Sequence, residues 1–142
     1  MKELGQGKDR SPEQIIEEIN QTSTSYGMAA VWFLGQESVV IKGGEVVIYI
    51  DPYMSDELER RGGFQRAFPA PLQPEHIRNA NIVLITHEHD DHMDLATISV
   101  IARQNPDTWF VAPARCHEAM QGAGVAPERL VAAVCDEWQQ LD

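Results

Sequence analysis

The chain has 142 residues, 43% of them apolar, which is enough for one globular domain with a sizeable core. Eleven Lys plus Arg against 22 Asp plus Glu leave a formal charge of -11, a balance that repels nucleic-acid backbones and anionic membrane surfaces and argues against both as partners. The first ten residues lack the apolar core of a signal peptide and no run reaches the roughly 18 apolar residues of a membrane helix. Cys116 and Cys135 have neither C-x-x-C spacing nor a disulfide framework around them, so reduced thiols and the cytoplasm are expected.

Residues 1–10 are polar and glycine-containing, and are expected to be flexible. Ser11-Pro12-Glu13-Gln14 reads as a helix start, with Ser11 as N-cap, Pro12 in the first turn and Gln14 closing a capping box; Ile15, Ile16 and Ile19 give the helix, ending near Asn20, one apolar face. Three strands follow in a meander, over residues 28–34, 38–42 and 45–50, with Gly35-Gln36 breaking the first and Gly43-Gly44 supplying the second turn. Pro52 ends the third strand just after Asp51, a carboxylate that by itself reads as a turn cap.

Residues 53–75 are irregular, with Gly62-Gly63, Pro69, Pro71 and Pro74 interrupting any helix begun at Ser55–Arg61. Arg60, Arg61 and Arg66 suit an anionic substrate but read first as surface charges, while Tyr53 and Phe64 are candidates to line a pocket. His76 reads as a surface residue in a short turn. Ile82-Val83-Leu84-Ile85 is a fourth strand whose unbroken apolar run predicts burial on both faces. Beyond it come a helix over 94–104 with Leu95, Ile98 and Ile101 on one face, a strand over 108–111, a helix over 113–121, and a strand over 130–134. His117 reads as a surface or packing residue, and 135–142 as polar chain.

The chemistry is concentrated after the fourth strand, in Thr86-His87-Glu88-His89-Asp90-Asp91-His92-Met93-Asp94. Three of the five histidines lie here, interleaved with carboxylates. Residues i and i+2 of extended chain project to the same side, so His87 and His89 can grip one divalent ion; a turn after His89 would aim Asp91 and His92 at a second. Two ions about 3.5–4 Å apart can clamp a hydrolytic water and an oxyanion together. Glu88 and Asp90 are read as solvated.

The His87-x-His89-x-Asp91-His92 pattern resembles the signature of the metallo-β-lactamase superfamily. With Leu34-Gly35-Gln36, Ile50-Asp51-Pro52-Tyr53 and Asp94, it is most similar to the branch containing L-ascorbate-6-phosphate lactonases. The resemblance runs from about Val31 to the C-terminus. It implies an α/β fold (α+β in the strict sense), the N-terminal half of an αββα sandwich with a mixed sheet and helices on one face. It further implies a hydrolase using two Mn or Zn ions held by His87, His89, Asp91 and His92, with Asp91 also catalytic and Asp51 steadying the histidine loop from behind. Gln36, Tyr53 and Arg66 would then lie near a small anionic substrate, a sugar-phosphate lactone; phosphodiester cleavage by a related enzyme, a metal-binding module and a non-catalytic remnant are the alternatives.

Members of the superfamily complete the site with a later histidine, a bridging aspartate and a final histidine, and nothing after His92 matches them. The chain is therefore expected to be a half-domain offering two ligands per ion. Weak metal binding, slow or absent hydrolysis by the chain alone, and an uncovered apolar sheet face are the consequences. The macromolecular partner to expect is a second copy or a complementing C-terminal segment.

Overall fold

A computed structural model describes residues 10–141. The expectation of a flexible start therefore falls on residues outside the described ones, except Arg10, which pairs with Glu18. Helix α1, Pro12–Gln21, begins as its sequence dictates: Ser11 Oγ accepts from the Gln14 amide and Gln14 Oε1 accepts from the Ser11 amide, closing the capping box. Ile15 and Ile19 are its buried residues.

Strands β1 (Ala30–Gly35), β2 (Ser38–Gly43) and β3 (Val46–Ile50) form an antiparallel meander. β1 starts two residues later than the apolar run predicts, after a turn at Tyr26-Gly27 with Gly27 at φ 78. Gln36-Glu37 form the β1–β2 turn, and Gly44-Glu45 form the β2–β3 turn because Gly43 still pairs with Val46. The expected Gly43-Gly44 turn is thus displaced by one residue, with Gly44 at φ 58 in the first central position, where hairpin turns favour glycine.

After β3 the chain passes through the single-turn helix α2 (Glu57–Arg60) and returns parallel to β3 as β4, Ile82–Leu84. Helix α3 (Leu95–Gln104), β5 (Trp109–Ala112), a 3-10 turn running into α4 (His117–Gly122), and β6 (Leu130–Ala132) continue the pattern. The result is a mixed six-stranded sheet in the order β1-β2-β3-β4-β5-β6, with its last four strands parallel.

Among the described residues, only one face of this sheet is sealed. Val40, Tyr49, Val83 and Phe110 point into a core shared with Ile15 and Ile19 of α1, Ile98 and Ile101 of α3, and Met120 of α4. Lys42 also lies on this face; its amine donates to the Ile19 and Asn20 carbonyls at 3.0 and 2.8 Å, satisfying the C-terminal end of α1.

The opposite face carries two cross-strand rows that are apolar from end to end: Phe33, Val39, Ile50, Leu84, Val111 and Val131; and Val31, Ile41, Ile48, Ile82 and Trp109. None of these is fully buried, and Phe33 is 82% and Val31 50% exposed. The expectation that β4 is buried on both faces is therefore corrected: Val83 is sealed, while Ile82 and Leu84 are only half-buried because the described helices pack on the other side. An apolar run without alternation marks a strand whose second face is suited to a cover, whether or not one is present.

Candidate metal centre

The motif loop leaves the carboxyl end of β4, the edge of a parallel sheet where sites form in α/β folds. His89 closes the turn the sequence called for, its carbonyl accepting from the His92 and Met93 amides at 2.9 and 2.7 Å. Asp94 then caps α3, accepting from the Thr97 amide and hydroxyl, and also takes the Ser55 amide and hydroxyl at 2.9 and 2.7 Å. The loop is thereby pinned between β4, α3 and the segment after β3.

Asp51 holds it from behind. This carboxylate is 3% exposed and sits at φ 44, a left-handed conformation that Asp tolerates better than most residues. Its amide donates to Leu84 O at 2.9 Å and its carbonyl accepts from Ser38 Oγ at 2.8 Å, so its backbone is fixed on both sides. Oδ1 accepts from the Thr86 amide at 2.8 Å; Oδ2 accepts from the Thr86 hydroxyl at 2.6 Å and lies 2.8 Å from His92 Nδ1. A hydrogen on His92 Nδ1 leaves the Nε2 lone pair free to bind a cation.

Thr86 extends the same logic to His87. Its hydroxyl hydrogen is committed to Asp51, so its oxygen accepts from His87 Nδ1 at 2.9 Å, leaving the His87 Nε2 lone pair free. That nitrogen lies 3.0 Å from His89 Nδ1. Two nitrogens bound to one ion at about 2.0–2.1 Å stand about 3.0–3.4 Å apart for bond angles of about 90–110°, so this spacing fits a chelate. The rings of His87 and His92 are 4.0 Å apart at their centroids, placing the two halves of the motif side by side. The residues present fit a divalent metal.

Asp91 and His92 form the second half, and a residue that the sequence reading passed over joins them. Glu37, in the β1–β2 turn, presents a ligand atom that lies, with those of Asp91 and His92, within a mutual 4.8 Å. Burial and the Asp91 charge push its carboxyl pKa up. Nothing in the sequence pattern connects Glu37 to the loop; the pairing of β2 with β3 and of β3 with β4 brings its turn to that edge of the sheet. Thr86 was visible in the motif, but its role depends on where Asp51 lies.

The other candidates are placed as follows. Gln36, at φ 53, is exposed and its Oε1 accepts from the Ala67 amide at 3.3 Å. Tyr53 is buried, and Arg66 lies over its ring at 4.2 Å while donating to its carbonyl at 2.7 Å. Arg66 also borders a 670 Å³ cleft with Ser55, Glu59, Phe68 and Ala96, to which no histidine of the motif contributes. Arg60 and Arg61 pair with Asp56 and Glu57, and Phe64 is exposed. Glu88 pairs with Arg115 at 2.6 Å and Asp90 is exposed. His76 faces Glu13 and His117 lies 3.2 Å from the Ala112 carbonyl; neither groups with Glu37, Asp91 and His92.

A helix-backed mixed sheet carrying a His-x-His-x-Asp-His loop at the carboxyl end of a parallel strand defines an α/β metal-binding protein. The chain belongs to the metallo-β-lactamase superfamily: the family described as "Beta-lactamase superfamily domain" matches residues 47–142. It is 30% identical over 140 residues to the "Probable L-ascorbate-6-phosphate lactonase" of Escherichia coli O127:H6, covering 82% of this chain and 39% of that protein. The Salmonella paratyphi B protein of the same description matches to the same extent. The chain thus spans about two fifths of the length of these curated relatives.

Among solved structures it is similar to Igni18, a metallo hydrolase of Ignicoccus hospitalis, with a TM-score of 0.54 and 18% identity over 80% of this chain and 42% of that one. An isothiocyanate hydrolase from Delia radicum gut bacteria gives a TM-score of 0.56 and 19% identity, over 80% of this chain and 44% of that one. These two likenesses support the fold. No helix among the described residues is long and apolar enough to cross a membrane.

Proposed function

We propose that this chain carries the metal-binding part of a hydrolase acting on a small anionic ester, with a sugar-phosphate lactone as the preferred substrate class. The observation that carries this reading is the 3.0 Å approach of His87 Nε2 to His89 Nδ1 beside Asp91 and His92, in a loop oriented by Asp51. Divalent Mn or Zn, when bound, would acidify a water and offset the charge of a developing oxyanion.

The chain's own residues do the rest. His87 and His89 hold one position, Asp91 and His92 the other, and Asp51 fixes the His92 tautomer while Thr86 fixes that of His87. Asp91 would also hold a proton during the reaction. Gln36 and Arg66 are the groups proposed to meet the substrate's anionic end, supported by the reach of Gln36 to the Arg66 segment through the Ala67 amide. A cytoplasmic setting belongs to the same proposal and is supported by two unpaired cysteines, Cys116 and Cys135.

One observation favours a second reading, a metal-binding module without hydrolysis. Among the described residues no third His, Cys, Asp or Glu groups with His87 and His89, whereas a catalytic zinc ordinarily has three protein ligands. Hydrolysis of a phosphorylated sugar-acid lactone, measured with added Mn2+ or Zn2+ against a His89→Ala control, separates the two. Metal-dependent turnover lost in His89→Ala supports the hydrolase; metal binding without turnover favours the module; turnover unchanged in His89→Ala would sink the metal mechanism.

A further inference from the structure

We propose that Glu37 is itself a metal ligand, completing with Asp91 and His92 a three-ligand position at the second half of the loop. The inference rests on the metal-site reading above and adds to it a residue from outside the motif.

Three observations converge on it. The ligand atoms of Glu37, Asp91 and His92 lie within 4.8 Å of one another, close to the roughly 3–4.4 Å between donors that share one ion at bond lengths of about 2.0–2.2 Å. Glu37 Oε1 is buried and has no hydrogen-bond partner, an arrangement that leaves that oxygen desolvated without a donor. Finally, the neighbouring groups are arranged to leave the three donors free. Asp51 occupies His92 Nδ1 and so leaves Nε2, and Arg66 Nη1 donates to the Tyr53 carbonyl.

The β1–β2 turn explains how the residue gets there. Gly35 at φ 96 and Gln36 at φ 53 reverse the chain within two residues, so Glu37 is delivered by the tight turn of the β1–β2 hairpin. β2 in turn leads into β3 and Asp51, so one meander supplies both a ligand and the support of another ligand. A carboxylate at this point changes the ligand count. The motif alone gives two protein ligands for this ion, whereas with Glu37 the position has three and leaves room for water.

The test is a titration of the full chain with Zn2+ and with Co2+, reading stoichiometry by calorimetry and coordination by the visible ligand-field absorption of Co2+. Wild type should bind two ions. Glu37→Gln should weaken one of them by at least about 10-fold and reduce the Co2+ absorption, while His89→Ala should weaken the other. Two ions bound equally well by wild type and Glu37→Gln would overturn the assignment of Glu37 and leave the motif's metal role intact. No ion bound by wild type would overturn both. Glu37→Gln removes a carboxylate charge that burial disfavours, so its metal-free thermal midpoint should match or exceed that of wild type. Should Glu37→Gln misfold, Glu37→Ala carries the same expectation for ion count and affinity.

Discussion

Asp51 Oδ2 and His92 Nδ1 lie 2.8 Å apart although 41 residues separate them in the chain, because Asp51 follows the carboxyl end of β3 and His92 that of its parallel neighbour β4. The carboxylate is almost fully buried and its backbone occupies the left-handed region, so β3 ends in a conformation that costs energy in order to aim this side chain at the loop. Asp51→Asn keeps the side-chain shape and the tolerance for this backbone but removes the charge-assisted hydrogen bond. Divalent-metal affinity should fall by about 10–100-fold while far-UV circular dichroism stays unchanged. Calorimetric titration of the variant checks this; unchanged affinity would mean that the pair has no role in orienting His92.

Lys42 is a buried cation whose amine serves the last carbonyls of α1. Lys42→Met preserves the stem's packing and leaves those carbonyls without their donor. Urea unfolding should show a loss of roughly 1.5–3 kcal/mol, the usual worth of hydrogen bonds to a charged group. A loss much smaller than this would mean that water replaces the amine at the end of α1.

Glu18 ties α1 to the sheet in a pH-dependent way. Its carboxylate accepts from Trp32 Nε1 at 3.0 Å and pairs with Arg10, and these contacts, the Trp32 bond first, hold its pKa below the ordinary 4.5. Because the folded value is depressed, the contribution is present above the unfolded pKa and is lost as pH falls through the folded one. Thermal midpoints of wild type should therefore drop more steeply than those of Glu18→Gln between about pH 5 and 3. Parallel curves would show that the contact is not retained in solution. The group is substantially exposed, so the effect should be small.

The open sheet face leads to a prediction about assembly. Two unbroken apolar rows on one side of the sheet form the kind of contiguous patch that soluble monomers rarely expose. Sedimentation of the chain should show concentration-dependent association, and Phe33→Glu, placed on the most exposed residue of these rows, should reverse it. A monomer at all concentrations, in wild type and variant alike, would contradict this.

Much of the architecture could be read locally. The capping box at Ser11 and Gln14, the meander before Asp51 and the metal loop at the end of β4 all depend on residues near one another in the chain. What escaped depends on long-range placement. The one-sided burial of β4 is invisible because Ile82 and Leu84 are as apolar as Val83, and only the position of the helices tells them apart. Glu37 is by type an ordinary turn residue, and its proximity to Asp91 exists only once β2 has paired with β3 and β3 with β4. The Gly43-Gly44 pair offered two glycines for one requirement, and strand register decided that Gly44 meets it.

The central claim is that the His87–His92 loop holds divalent metal, and anomalous diffraction from crystals grown with Zn2+ tests it most directly. The account predicts one peak about 2.0–2.2 Å from both His87 Nε2 and His89 Nδ1, and a second within bonding distance of Asp91, His92 and Glu37. A map with no peak at this loop, or with metal only at sites elsewhere such as His76 and Glu13, would contradict it.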